Sequence, residues 1–75
     1  MVSTTVTNSI RSLRFAHHEM TQQELAGRIG VTRQTVNAIE AGKYSPSLEV
    51  AFRIAEVFGV RVDEVFQYGA GMAQR

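Results

Sequence analysis

Apolar positions recur at helical spacing along most of the chain. Near its start, Ile10, Leu13 and His17 are separated by three and four residues, which predicts an α-helix. Asn8 is the candidate residue to cap this helix. The preceding residues 1–7 are rich in Thr, Ser and Val, which favour extended backbone over helix.

A longer helix is predicted to begin near Pro46 and to end at Gly59. It is apolar on nearly all sides, so it is expected to lie at the centre of its domain. Ser45, with Pro46 at the first helical position, and Ser47 are alternative caps for it. Its core-facing residues are expected to be Leu48, Ala51, Phe52, Ala55 and Phe58.

Between these helices, residues 21–41 are typical of two short helices joined by a tight turn. Thr21 can cap the first helix, and Glu24 stands three residues later to complete a capping box. Gly30 can adopt a positive φ in the turn without steric cost. Thr32 is the candidate cap of the second helix. The outer face of that helix offers side chains suited to the base edges and phosphates of DNA, namely Arg33, Gln34, Thr35 and Asn37.

This stretch resembles the helix-turn-helix of the Cro/CI-type (XRE) regulators. The resemblance runs from about Asn8 to about Phe66 and includes IRSLR, MTQQELA, VTRQTVNAIEAGKYSPSLEVAFRIAEVFGV and DEVF. It implies an all-α, compact five-helix, lambda-repressor-like DNA-binding domain at residues 8–66, between an N-terminal arm, 1–7, and a C-terminal tail, 67–75. We expect the rest of the core to come from Leu13, Leu25, Ile29, Val36 and Ile39.

The two ends of this domain leave alternatives open. A last short helix over Val60 to Tyr68 has Arg61 where relatives usually place a capping Ser or Thr, a loss of about 1 kcal/mol. The first seven residues and Phe66–Tyr68 are either frayed or paired as a short terminal β-ribbon, as in some small relatives.

Length and charge add two expectations. A domain of 75 residues without cysteine buries a limited core, so a homodimer is the expected extra source of stability. The net charge is only +1, but residues 8–44 hold five cationic side chains against three acidic ones. The motif therefore lies in the more basic part of the chain, a modest footprint for a nucleic-acid partner.

Other classes of function find little support in the chain. It has no apolar run long enough for a membrane span and no signal-peptide pattern, which predicts a cytoplasmic protein. His17 and His18 are adjacent and point about 100° apart on a helix, so they do not suit one metal ion. Without a Ser, His and acid arrangement or a glycine-rich phosphate cradle, we expect no enzyme activity, no cofactor and no small-molecule ligand.

The resemblance places the second motif helix in the major groove, with its N-terminal end leading. Arg33, Gln34 and Asn37 are then nearest the bases. Arg33 suits guanine or lies along the backbone, whereas Gln34 and Asn37 suit adenine. Asn37 is one turn further from Arg33 on the same face, and the alternative is that it touches DNA only at the groove edge. Gln22 is expected to grip phosphate and to buttress Arg33. The expected phosphate contacts are Gln22, Thr32, Thr35, Lys43 and Tyr44, for which capping, solvation or, at Tyr44, core packing are the alternatives.

The resemblance also implies an ion pair between Arg14 and Glu40 that holds the recognition helix at a fixed angle. The fifth helix is the candidate dimer interface, because its apolar side chains exceed what a small core can hide: Val62, Val65, Phe66 and Tyr68. The predicted function is sequence-specific double-stranded DNA binding by a transcriptional regulator. The expected form is a dimeric repressor that reads a near-palindromic operator, with half-sites on the order of 34 Å apart. The alternatives are an antitoxin or restriction-control protein, and a protein-interaction module without DNA binding.

Overall fold

The computed structural model describes residues 6–69 and contains five helices and one two-stranded ribbon. The outer parts of the predicted arm and tail, residues 1–5 and 70–75, lie outside this range. The predicted five-helix domain is confirmed. The elements in chain order are β1 Val6–Asn8, α1 Ile10–Ala16, α2 Gln22–Ile29, α3 Arg33–Glu40, α4 Leu48–Phe58, α5 Val62–Val65 and β2 Phe66–Tyr68.

The ribbon joins the two ends of the described chain. β1 and β2 are antiparallel, with Val6 opposite Tyr68 and Asn8 opposite Phe66. Of the two alternatives for the ends, pairing is therefore correct and fraying is wrong for these residues. The ribbon therefore joins the N-terminal end of α1 to the C-terminal end of α5, where the Ser9 N–H also donates to the Val65 carbonyl at 2.8 Å.

Asn8 connects this ribbon to the end of α3. Its Oδ1 accepts from the Ile10 N–H at 3.1 Å, although the N-cap residue of α1 is Ser9, whose side chain makes no capping hydrogen bond. The Asn8 Nδ2 donates to the carbonyl of Ile39 at 2.9 Å. The Ile39 carbonyl also accepts from the Gly42 N–H at 3.0 Å, so the Asn8 bond is a second one that joins the ribbon to the last turn of α3.

The two helices of the motif begin at the caps predicted for them. Thr21 Oγ1 accepts from the Glu24 N–H at 3.0 Å, and Glu24 Oε1 accepts from the Thr21 N–H at 3.0 Å, which completes the capping box. α2 ends at Gly30, whose φ of 78° is the left-handed conformation that glycine adopts without strain. Thr32 Oγ1 accepts from the Thr35 N–H at 3.1 Å and starts α3.

The last two helices differ from the prediction at their ends. Ser47, not Ser45, caps α4, because its hydroxyl accepts from the Val50 N–H at 3.2 Å. α5 is a single turn and does not reach Tyr68, whose segment forms β2 instead. The Arg61 side chain does not cap α5, but the Arg61 N–H donates to Glu64 at 2.7 Å.

The core takes only one face of α4. Leu48 and Phe52 were expected inside, and this is wrong, because they are 70% and 57% exposed. α4 has apolar residues on two faces, and the domain covers one of them. The buried residues of α4 are Ala51, Ile54, Ala55 and Phe58, and the core also contains Ile10, Met20, Leu25, Ala26, Ile29, Val36, Ile39 and Val65, with Leu13 packed at its edge.

The bend between α1 and α2 carries two residues with positive φ that are not glycine. His18 has a φ of 60° and Glu19 a φ of 54°. This conformation costs roughly 1–2 kcal/mol for a residue with a Cβ. His17, just before the bend, packs its ring edgewise on Phe58 at 5.1 Å between centroids.

Glu19→Gly should therefore stabilise the protein. Relief of the strain exceeds the extra entropy that glycine gives the unfolded chain, and we expect a gain of about 0.5–1 kcal/mol. Urea unfolding of this variant and of Glu19→Ala provides the comparison, since alanine removes the same carboxylate but keeps the Cβ. Equal stability of the two variants would mean that the strain at this residue does not exceed the entropy that glycine gives the unfolded chain, and would contradict the expected gain.

Candidate nucleic-acid interface

α3 presents one polar face to solvent. Val36 and Ile39 on its inner face are 1% and 2% exposed, whereas Arg33, Gln34 and Asn37 are exposed. All three residues predicted to meet bases therefore lie on the open side of the helix. This division follows from the sequence, since apolar residues three apart mark one side of a helix.

The first turn of α3 satisfies its own hydroxyl groups. Thr32 Oγ1 and Thr35 Oγ1 are 3.0 Å apart, in addition to the capping bond that Thr32 accepts. Thr32 thus takes the capping role in the free protein, and Thr35 is half-buried beside it. Their contact with phosphate stays a prediction.

Gln22, the first residue of α2, turns its side chain toward α3. Its Nε2 donates to Asn37 Oδ1 at 3.3 Å and to Glu40 Oε1 at 3.2 Å. The expectation that Gln22 buttresses Arg33 is wrong for this structure, in which no hydrogen bond among residues 6–69 joins the two. Gln22 instead contacts Asn37, which lies one turn further along α3.

Arg14 and Glu40 form an ion pair behind the polar face. Arg14 Nε lies 2.6 Å from Glu40 Oε2, and Nη2 donates to Glu40 Oε1 at 3.2 Å. The two side chains are only 9% and 10% exposed. Arg14 Nη1 also donates to the Met20 carbonyl at 2.7 Å, so one guanidinium connects α1, the bend before α2 and the end of α3.

A shallow cleft between α1 and α3 adds two residues that the sequence did not single out as DNA contacts. Arg11 and Phe15 line it together with Gln22 and Asn37. The Arg11 guanidinium lies 5.4 Å from the centroid of the Phe15 ring, a cation–π arrangement. Their spacing of four residues on a predicted helix was the available signal, because such residues are neighbours on its surface.

Positive charge is uncompensated mainly where the motif lies. The ion pairs within residues 6–69 are Arg14–Glu40, Arg53–Glu49 and Arg61–Asp63. The hydrogen bond from Arg61 lowers the pKa of Asp63 and raises the pKa of Arg61. The cations outside these pairs include Arg11 on α1, Arg33 on α3 and Lys43 in the loop after α3.

The loop after α3 holds Lys43 and Tyr44 at the surface. Gly42 has a φ of 75°, and the Lys43 N–H donates to the Ala38 carbonyl at 3.0 Å, which fixes the exit from the helix. Tyr44 is 53% exposed, so the alternative of packing in the core does not hold. Both side chains are thus open to a partner that lies along α3.

The residues predicted for a dimer interface separate into two groups. Val65 is 0% exposed and belongs to the core, so the expectation that it meets a second copy is wrong. Tyr68 is 79% exposed, and Val62 and Phe66 are partly buried. Phe52 lines one groove together with Val62, and Leu48 is exposed one turn before it on α4.

The described helices and their open polar face define a helix-turn-helix DNA-binding domain. A family model described as helix-turn-helix matches residues 10–65. The chain belongs to this family, in its Cro/CI-type (XRE) form, and is a DNA-binding transcriptional regulator of the helix-turn-helix class. No helix within residues 6–69 has the length and apolar character needed to cross a membrane.

Known proteins similar to this chain come from archaea and bacteria. An uncharacterized HTH-type transcriptional regulator of Methanocaldococcus jannaschii is 55% identical over 53 residues, which covers 71% of this chain and 80% of the relative. The cryptic phage CTXphi transcriptional repressor RstR of Vibrio cholerae is 38% identical over 58 residues, 77% of this chain and 51% of the relative. A crystallised Bacteroides fragilis protein, described as a candidate DNA-binding protein, shares the fold with a TM-score of 0.72 and 24% identity over 83% of this chain and 98% of its own.

Proposed function

We propose that the protein is a sequence-specific repressor that binds double-stranded DNA as a homodimer through the exposed face of α3. The observation that carries this proposal is the exposed polar face of α3 beside Arg11, Arg33 and Lys43, which form no ion pair within residues 6–69. Base edges in the major groove are read by side chains of this kind, and phosphates by the cations around them. The similarity to a relative named as a transcriptional repressor supports repression over activation.

In this proposal the contacts divide by chemistry. Arg33, Gln34 and Asn37 meet base edges. Lys43 and Tyr44 meet the sugar-phosphate backbone beyond the end of α3. Phosphate contacts set the register and supply affinity, so they are the salt-dependent part of binding. The proposed phosphate contacts are Gln22, Thr32, Thr35, Lys43 and Tyr44, and the position of Arg11 in the cleft adds it to them.

Two copies would double the basic surface and read two half-sites. The surface proposed for the dimer consists of Leu48, Phe52, Val62 and Tyr68, all at least partly exposed. Exposed apolar side chains at the edge of a small domain are typical of an interface. A two-fold dimer would then recognise a near-palindromic operator with half-sites about one DNA turn apart.

Selection of bound duplexes from a random pool tests this function. We expect a two-fold symmetric consensus and an affinity that falls steeply as salt rises, because bound phosphates release counterions. Recovery of no preferred sequence, together with tight binding to another protein, would favour an interaction module. Sedimentation of the free protein gives the stoichiometry independently.

Variants on the two parts of the interface should behave differently. Gln34→Ala should relax preference at one position in each half-site, by about 1–3 kcal/mol. Lys43→Ala should weaken all duplexes about equally and reduce the salt slope by about 1. Binding of both variants to the selected operator and to single-base changes of it provides the measurement. A sequence-dependent loss with Lys43→Ala would contradict the assignment to phosphate.

A further inference from the structure

The hydrogen bonds behind the polar face of α3 have directions that chemistry dictates. A guanidinium only donates and a carboxylate only accepts. Arg14 therefore donates to Glu40, and Glu40 accepts from every other polar group that it meets. Gln22 lies 3.2 Å from Glu40 Oε1, so the amide atom of Gln22 that faces this carboxylate is the nitrogen Nε2.

The same nitrogen also determines which atom of the Asn37 amide faces Gln22. Gln22 Nε2 lies 3.3 Å from the nearest polar atom of Asn37, and a donor requires an acceptor there, which is Oδ1. The Asn37 amide is thus held with its oxygen against Gln22. Its NH₂ group is left to bind a partner on the exposed side of α3.

We propose that Asn37 reads the operator as a fixed hydrogen-bond donor and selects guanine or thymine at one position of each half-site. This inference rests on the proposed function. In the major groove, guanine presents the acceptors N7 and O6 and thymine the acceptor O4, whereas adenine sets an amino group beside its acceptor N7 and cytosine presents an amino group. A side chain that only donates leaves these amino groups without an acceptor, so it favours guanine and thymine. A free asparagine pairs with adenine through both ends of its amide, but an amide whose oxygen is turned toward Gln22 cannot place both ends on one base edge and directs its nitrogen to the base.

Gln22 and Glu40 are positioning residues in this account. Neither needs to touch the base that Asn37 reads. Glu40 is held by the buried guanidinium of Arg14, so the carboxylate that orients the Gln22 amide has a fixed position. The expectation from sequence, that Asn37 suits adenine, changes because Gln22 holds the Asn37 oxygen toward α2, and pairing with adenine needs this oxygen at the base edge.

Duplex selection with four proteins tests the proposal. Asn37→Ala identifies the base position by a loss of roughly tenfold in discrimination there. Gln22→Met removes the donor but keeps the Arg14–Glu40 pair, so the Asn37 amide turns freely and adenine becomes at least as frequent as guanine or thymine. Gln23→Met makes the same change at the next, exposed residue of α2 and should leave the preference unchanged.

Glu40→Gln provides a second, opposite test. The new amide would keep its oxygen on Arg14 Nε, the shorter contact at 2.6 Å, and would turn its nitrogen to Gln22 with loss of the 3.2 Å bond from Arg14 Nη2. Both amides along the chain would then reverse. Asn37 would then present its oxygen outward, and the selected base should shift to cytosine or adenine, whose amino groups donate. If this variant does not fold, Gln22→Met alone decides the question.

The outcomes separate this proposal from the function on which it rests. Guanine or thymine in the wild-type consensus, with a shift to adenine in Gln22→Met, supports the inference. Adenine or cytosine in the wild-type consensus at the Asn37 position, or a preference that Gln22→Met leaves unchanged, overturns it while sequence-specific binding stands. A wild-type protein that selects no consensus overturns the proposed function and this inference together.

Discussion

Arg14→Ala should lower the free energy of unfolding by about 3–5 kcal/mol. The change leaves the Glu40 carboxylate only 10% exposed and without its cation, and it removes the donor to the Met20 carbonyl. A buried charge without a partner keeps its desolvation cost and loses the compensating attraction. Urea unfolding of the purified variant measures the change directly.

Glu49→Ala is the matched control for this prediction. Glu49 forms an i,i+4 ion pair with Arg53 at 2.9 Å, but its side chain is 75% exposed. Loss of such a surface pair should cost about 0.3–0.5 kcal/mol. Glu40→Ala should resemble Arg14→Ala, and the double variant should cost less than the sum of both. Similar small losses for Arg14→Ala and Glu49→Ala would mean that the Arg14 pair does not hold the helices together.

Ile54→Ala should cost about 2–5 kcal/mol, whereas Phe52→Ala should hardly change the stability of an isolated protomer. The two residues lie two positions apart in α4, but Ile54 is 1% exposed and Phe52 is 57% exposed. Truncation of the buried side chain leaves a cavity, and truncation of the exposed one leaves only solvent. Thermal unfolding at low protein concentration compares the two.

If the face of α4 that carries Phe52 meets a second copy, Phe52→Ala should also weaken the dimer and so lower the stability of the dimeric protein. We expect the loss of stability to grow with protein concentration in that case, because dimerisation stabilises only the wild-type protein. Sedimentation should show a weaker dimer for Phe52→Ala. An unchanged dimer would place the interface elsewhere on the domain.

Local features of the motif were predictable because they depend on residues close in sequence. The caps Thr21 and Thr32, the reciprocal bond to Glu24 and the left-handed Gly30 involve atoms within four residues of one another. A short polar side chain before an apolar repeat therefore carries most of the necessary information. The five helices followed from the same kind of pattern.

Burial of α4 and α5 was harder to predict because it depends on how much surface the rest of the chain can cover. Leu48 and Phe52 carry the same apolar signal as Ala51 and Ile54, but a domain this small covers only one face. Val65 shows the opposite error, since its place in a short terminal helix suggested exposure.

The hydrogen-bond partners of Gln22 could likewise not be predicted from the sequence. Asn37 and Glu40 lie fifteen and eighteen residues away along the chain. They approach Gln22 only because of the angle at which α2 and α3 cross. Side-chain contacts between helices depend on this angle, which local patterns do not specify.

The most direct test of DNA recognition by α3 is to follow the NMR chemical shifts of the backbone amides as a DNA duplex is added to the isotope-labelled protein. We expect the largest changes at residues 32–37 and 42–44, with little change at the exposed side of α4. Large changes confined to α4 and α5, with α3 unaffected, would contradict a recognition role for α3.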